Sequence, residues 1–329
     1  MQEIPAQVSP LGAVVARHSG QLFVTTAQAG LFGSGTGGVL TVVRGQVAPL
    51  AMAPGLPLAV AVDERANRVI VVGDAAGGTV SVLDATSGRL VHRGVIGMVL
   101  IGQSLAVDEA TGRAFVITAN LAADKGSVYV FDSHSGRPLH TIALPTMPVG
   151  MTVDERTGHV FVSTMGPAAL IPSGPGFGRQ AIPVSTGHGS VVMLDARRGS
   201  VIRSVPVGIG PGAMAVDARH HHLLVTNVGA MDRAGNPLGP GRVSVLDTRS
   251  GVVLRTVPVG LAPGDIAVDE RAGRALVLNL GGTVHVTDAW RWLPSWLRRR
   301  LPFIPRQAPG ARTVGGSVTV LDTTRLAEP

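Results

Sequence analysis

Short apolar runs rich in valine alternate with polar turns along nearly the whole chain, and the turns fall at a fixed distance from a recurring aspartate. The string Ala-Val-Asp occurs at 61–63, 106–108, 215–217 and 267–269, with Thr152-Val153-Asp154 as a variant and a degenerate copy ending at Ala16. Four residues beyond these six positions stand Gly20, Asn67, Gly112, Gly158, His221 and Gly273, residue types permitted or enriched at positive φ. Strand-like runs follow the turns at 69–72, 114–118, 160–164, 223–227 and 275–279, so each copy predicts a hairpin. A second series of runs ends in Asp84, Asp132, Asp195, Asp247 and Asp322. Four of these aspartates again precede a glycine by four residues, at Gly88, Gly136, Gly199 and Gly251.

Each unit therefore reads as strand, turn, strand, loop, strand, turn, strand. Antiparallel four-stranded units of about 40 to 50 residues, with no helix between them, predict propeller blades better than a solenoid or a parallel β-helix. The first strands carry small residues such as Ala59, Ala61, Ala213 and Ala215, which suit the crowded centre of a ring. Residues 2–16 align without a gap on 255–269, placing Pro10 over Pro263, and the last unit stops after its third strand at Asp322. The expected fold is all-β: a six-bladed β-propeller of four-stranded antiparallel blades, closed by the N-terminal strand completing the last blade. Seven blades, the alternative, would need 283–288 to be an independent blade strand, and that segment lacks the turn glycine. One domain is expected over 1–329, with insertions at 165–189, 228–241 and 281–316.

Forty-four glycines, 23 prolines and only 3% aromatic residues agree with many tight turns around a core of small aliphatic side chains. The absence of cysteine excludes disulfides, thiolate metal sites and a thiol nucleophile. Net charge is +7, and Lys125 is the sole lysine. Depletion of lysine along the whole chain reads as genomic base composition, so the charge is not a nucleic-acid footprint and no nucleic-acid partner is expected. No run approaches the ~18 uninterrupted apolar residues of a membrane span, and residues 1–10 lack the basic and apolar regions of a signal peptide.

Leu224-Val225-Thr226-Asn227, the Val-Leu-Asp-x-x-x-Gly turns and the Pro-Val-Gly-x-x-Pro connectors at 206–211 and 258–263 resemble the YVTN β-propeller repeat family. The resemblance covers most of the chain, is weakest over 17–55 and is absent from the insertions. It implies a bacterial or archaeal protein of the cell surface or periplasm, and it specifies fold far more than function.

In an up-and-down meander, loops between second and third strands share one end of the ring with the blade-to-blade connectors. The distance from first to second aspartate is 21 residues in the second unit, then 24, 41, 30 and 53, so the extra length gathers at that end, as binding surfaces on rigid scaffolds do. Residues 290–303 hold all three tryptophans, Trp290, Trp292 and Trp296, with Arg298, Arg299 and Arg300. They read as a hydrophobic cap with solvated arginines or as a partner- or membrane-surface docking element. The glycine-rich 172–179 lacks a following Gly-Lys-Ser/Thr and reads as a surface loop. Asp232 and Asn236 are too few for calcium, and His220-His221-His222 falls on a turn, so no metal and no cofactor are expected. Candidates for the channel mouth are Asn120, Asn227 and Asn279 at strand ends, Asp74 at a similar place, and Asp265 in a connector. Each has strand-end capping as its alternative role. With no acid-base set, the expected function is a monomeric, non-catalytic scaffold for a protein, glycan or cell-envelope partner. A channel-mouth enzyme, lactonase-like or quinoprotein-like, is the rival.

Overall fold

The computed structural model describes residues 9–16, 18–27, 37–43, 46–53, 55–97, 104–120, 124–172, 181–232, 235–285 and 311–326. The first sheet is β1 (Ser9–Val15), β2 (Leu22–Ala27), β3 (Gly37–Val43) and β4 (Gln46–Ala53). The second is β5 (Pro57–Asp63), β6 (Arg68–Gly73), β7 (Thr79–Asp84) and β8 (Leu90–Val95); the third is β9 (Leu105–Asp108), β10 (Arg113–Asn120), β11 (Lys125–Asp132) and β12 (Pro138–Leu144). In the fourth, β13 (Pro148–Asp154) and β14 (His159–Thr164) are followed by a hairpin, β15 (Ala168–Pro172) and β16 (Ala181–Ser185), before β17 (His188–Asp195) and β18 (Ser200–Ile209). The fifth sheet is β19 (Pro211–Asp217), β20 (His222–Asn227), β21 (Arg242–Asp247) and β22 (Val253–Pro258). The sixth has β23 (Pro263–Asp269) and β24 (Arg274–Asn279), a second hairpin, β25 (Gly282–His285) and β26 (Ala311–Val314), and β27 (Ser317–Asp322).

Every pairing is antiparallel between neighbours in the meander. The insertions at 165–189 and 281–316, expected as loops, each carry a two-stranded hairpin. Within the second of them, 282–285 pairs with 311–314 and not with a blade, so the described part of 283–288 is no blade strand.

The turns form as the sequence predicts. Asn67 and His221 stand at φ 55° and 57°, beside Gly20, Gly112, Gly158 and Gly273 at 63–71°. The preceding aspartate caps the turn: Asp63 accepts from Ala66 N, Asp108 from Ala110 N, and Asp269 from Arg271 N and Ala272 N.

The core lies between sheets. Ile70, Val72, Val80 and Val82 of the second sheet pack on Ala114, Val116 and Phe131 of the third. Corresponding clusters fill the junctions of the first sheet with the second, the third with the fourth, the fourth with the fifth and the fifth with the sixth. Backbone proximity at these junctions demands glycine. A Cβ at Gly37, Gly126, Gly189 or Gly241 would lie 2.1–2.5 Å from the ring of Pro57, Pro148, Pro211 or Pro263, the residue that opens the next sheet.

Glutamates brace the turn ends of successive sheets. Glu64 accepts from His18 N and Ser19 N of the first sheet, Glu109 from Glu64 N, and Glu270 from Ala218 N. Arg156 and Arg219 likewise donate forward, to the carbonyls of Ala218 and Glu270 on the following sheet. The Asp63 carboxylate is held by the Ser133 hydroxyl of the next sheet.

Among the described residues, one face has no such neighbour. On the sixth sheet Ala275, Val277 and Asn279 are buried, while Leu276, Leu278, Val318 and Val320 are 44–59% exposed. Their counterparts on the fifth sheet, Leu224, Val243 and Val245, are fully buried against the sixth.

Candidate functional site

Connections between second and third strands, and connectors from sheet to sheet, lie at one end of the strands, opposite the tight turns. Both hairpins and the 228–241 connection sit there. That connection is closed by a Met231–Pro237 bridge and by Asp232, which accepts from Asn236 N and Nδ2. The Asp232 carboxylate is thus committed to its own loop.

The first strands of all six sheets surround one cavity of about 570 Å³, lined among others by Gly12, Ala59, Leu105, Gly150, Gly212 and Asp265. Of the five acidic and amide candidates for its mouth, only Asp265 lines it. Asn227 and Asn279 are buried at 2% and 1%. The Asn227 amide donates to Val225 O and Ser244 Oγ, and that of Asn279 to Val277 O and Thr319 Oγ1. Both lie against a connector glycine, Gly208 or Gly260, where a Cβ would come within 2.7 Å of the amide carbon. These two asparagines therefore bond within their own sheet and pack against the glycine of the connector that enters it, their amide oxygens left without a hydrogen-bond partner among the described residues. Asp74 instead bonds the preceding connector directly, accepting from Leu56 N. Asn120 is exposed and lines a separate groove with Lys125 and Gly97. Trp290, Trp292, Trp296, Arg298, Arg299 and Arg300 lie outside the described residues.

The histidine triplet divides as strand alternation requires. His220 Nδ1 lies 2.8 Å from Asp217 Oδ2, His221 Nε2 lies 2.7 Å from Arg249, and His222 is buried. Among the described residues no three His, Asp or Glu side chains converge to hold a metal ion.

Turn geometry accounts for the titration of the second aspartate series. Backbone and side-chain hydrogen bonds from Ser87 hold Asp84 below its ordinary 3.8, the Arg198 amide does so for Asp195, and the Thr324 hydroxyl and amide for Asp322. Burial pushes His140 and His222 below 6.5. Depressed carboxyls stabilise the fold above their unfolded pKa and lose that contribution as pH falls through the folded one; depressed histidines act likewise from 6.5 downward. Thermal melts should therefore hold steady from about pH 8 to 6.5, decline gently below that and steeply under about pH 4. A melting temperature that rises on acidification would contradict these assignments.

The inter-sheet glutamates are a feature that motif and turn reading passes over, although Asp-Glu recurs at 63–64, 108–109, 154–155 and 269–270. The dipeptide is the available signal, since a charged residue placed at one turn position in four of six units is more than solvation requires.

No family model matches the chain, and no curated protein matches it. Solved structures do. Hydrazine synthase of Kuenenia stuttgartiensis is 15% identical with a TM-score of 0.59, covering 82% of this chain and 80% of that one. The Pan2 WD40 domain of Neurospora crassa is 14% identical (TM-score 0.55; 86% and 76%). A putative 6-phosphogluconolactonase from Bacteroides uniformis is also 14% identical (0.54; 82% and 77%). At such identities the likeness is one of architecture. The chain is a β-propeller-type protein whose described sheets number six blades, and among the described residues no helix is long and apolar enough to cross a membrane. Those neighbours span enzymes and a WD40 domain, so the fold selects no activity.

Proposed function

We propose that this chain is a closed, monomeric six-bladed propeller of the YVTN type that acts outside the cytoplasm as a non-catalytic scaffold. It engages a protein, glycan or cell-envelope partner through its loop-bearing end. The carrying observation is the one-sided decoration. Turns of no more than six residues occupy one end, and both added hairpins and the 228–241 connection occupy the other. Functional residues concentrate on such loops when a rigid framework holds them. Docking by Trp290, Trp292, Trp296 and Arg298–Arg300 is part of the proposal and rests on their sequence.

Closure rests on three features. The sixth sheet keeps an apolar face where the other junctions are filled. Gly316 occupies the place of Gly241, six residues before the aspartate that ends the third strand, and Pro10 aligns with Pro263, the proline seated on Gly241. Residues 2–8 align with the outermost strand of the fifth sheet and suit the free edge of β27.

Replacing 167–186, 229–240 and 282–314 with short Gly-Ser links should abolish binding to a glycan array and to solubilised envelope proteins while preserving a cooperative melt. Equal binding by the intact and excised proteins would refute the loop-end surface. Bound metal together with turnover in hydrolase or dye-reduction screens would overturn the non-catalytic reading.

A further inference from the structure

We infer that the central cavity is a binding site for a small organic cation, an amine or guanidinium on a short aliphatic stem, with the Asp265 carboxylate as its counter-charge. The inference shares with the scaffold reading only the end of the ring on which the cavity opens.

Asp265 is not required by the repeat. At the equivalent place, four residues before the first-strand aspartate, the other units have Gly12, Ala59, Ser104, Gly150 and Ala213, all small and uncharged. Nor does it cap a turn as the aspartates of both series do. Among the described residues its one hydrogen bond is from the adjacent Ile266 N to Oδ1, at 2.8 Å. The residue is exposed and lines the cavity, and among the described residues no Lys, Arg or His lines it.

A lone carboxylate among Leu, Val, Ala and Gly walls is poorly compensated by the described residues around it. Low-dielectric walls focus its field and raise the local concentration of cations. About 570 Å³ falls within the range of small-molecule sites, which combine apolar walls with few polar groups. Apolar surface continues from the lining: Leu280, 65% exposed, packs over Gly264, the lining residue next to Asp265, where a Cβ would meet Leu280 Cδ1 at 2.8 Å. An aliphatic stem can rest on the Leu, Val and Ala lining while its charged head meets Asp265. A bare metal ion lacks the further oxygen ligands it would need.

Calorimetric titration of the full chain with n-butylammonium and methylguanidinium should show saturable binding, weakened by added salt, with 1-butanol not binding. Asp265→Asn should weaken both cations at least about tenfold, as loss of a charge-assisted hydrogen bond does, and Asp265→Glu should lose less. Melts of each variant check folding, and the salt dependence of the unaltered protein needs no variant. No saturable binding of either cation, or binding unchanged in Asp265→Asn, would overturn the site. Competition by a blocked peptide bearing a single lysine assigns the cation to a partner's side chain; exclusion of that peptide while butylammonium still binds assigns it to a free amine. The loop-excised protein retains Asp265, Leu280 and the first strands that form the cavity wall, so cation binding that survives there separates this site from the loop-borne surface.

Discussion

Gly126→Ala is expected to destabilise the protein by about 3 kcal/mol or more, because the added methyl has nowhere to go. Its carbon would lie 2.2 Å from Pro148 Cδ and 2.5 Å from the Thr118 carbonyl, and both obstacles belong to rigid elements. Pro148 opens the fourth sheet, and Thr118 is paired within β10. Relief would need the third and fourth sheets to separate, opening a junction filled by Phe115, Ile117, Val160 and Val162. At roughly 2 °C per kcal/mol for a chain of this size, the melting temperature should fall by about 6 °C or more. Gly239→Ala, where nothing lies within 4 Å of the added carbon, supplies the control and should shift it by less than about 1 °C. Equal shifts for the two variants would show that the glycine-proline seats are incidental.

Removing residues 2–8 should have an effect at least as large. Closure against the first sheet would bury Leu276, Leu278, Val318 and Val320, at about 1.5 kcal/mol or more for each fully covered side chain. It would also pair the free edge of β27. The shortened chain is expected to melt roughly 10 °C lower and to bind a hydrophobic dye that the intact chain ignores. A complementary check joins the two ends of the ring by cysteines at positions 10 and 316. A crosslink formed within single chains supports closure, whereas crosslinked dimers would indicate that the face meets a second copy. An unchanged melt on deletion would leave the N-terminal strand without a role in the ring.

Much of this architecture can be read in the residues, for a definite reason. A turn that needs positive φ tolerates few residue types, so Gly20, Asn67, Gly112, Gly158, His221 and Gly273 mark the hairpins by their identity and spacing alone. Aspartates four residues earlier add a second constraint, the capping of turn amides. The site is less legible. At a strand end, alternation says which face a side chain takes but not whether that face meets the channel or a neighbouring sheet. Alternation would put Asn227 and Asn279 at the mouth, yet they turn instead beneath Gly208 and Gly260. The hairpins inside the insertions leave little trace in the pattern because their strands are four or five residues long and interrupted by Pro172 and Pro183. Asp265 is visible as a charge among small residues, but its position on the cavity wall follows only from six strands meeting there.

The glutamate braces and glycine-proline seats share a property that bears on how the protein is made. Each links one sheet to the next in sequence, and within each described sheet the strands pair in chain order. A sheet can therefore assemble as soon as its own residues leave the ribosome, using only the sheet before it as a template. At about 5–20 residues per second, successive blades would be laid down every few seconds, each covering the apolar face of its predecessor. Among the described sheets, the face bearing Leu276 and Val318 is the one with no later sheet against it. During synthesis it is the surface on which a chaperone would find the unfinished chain.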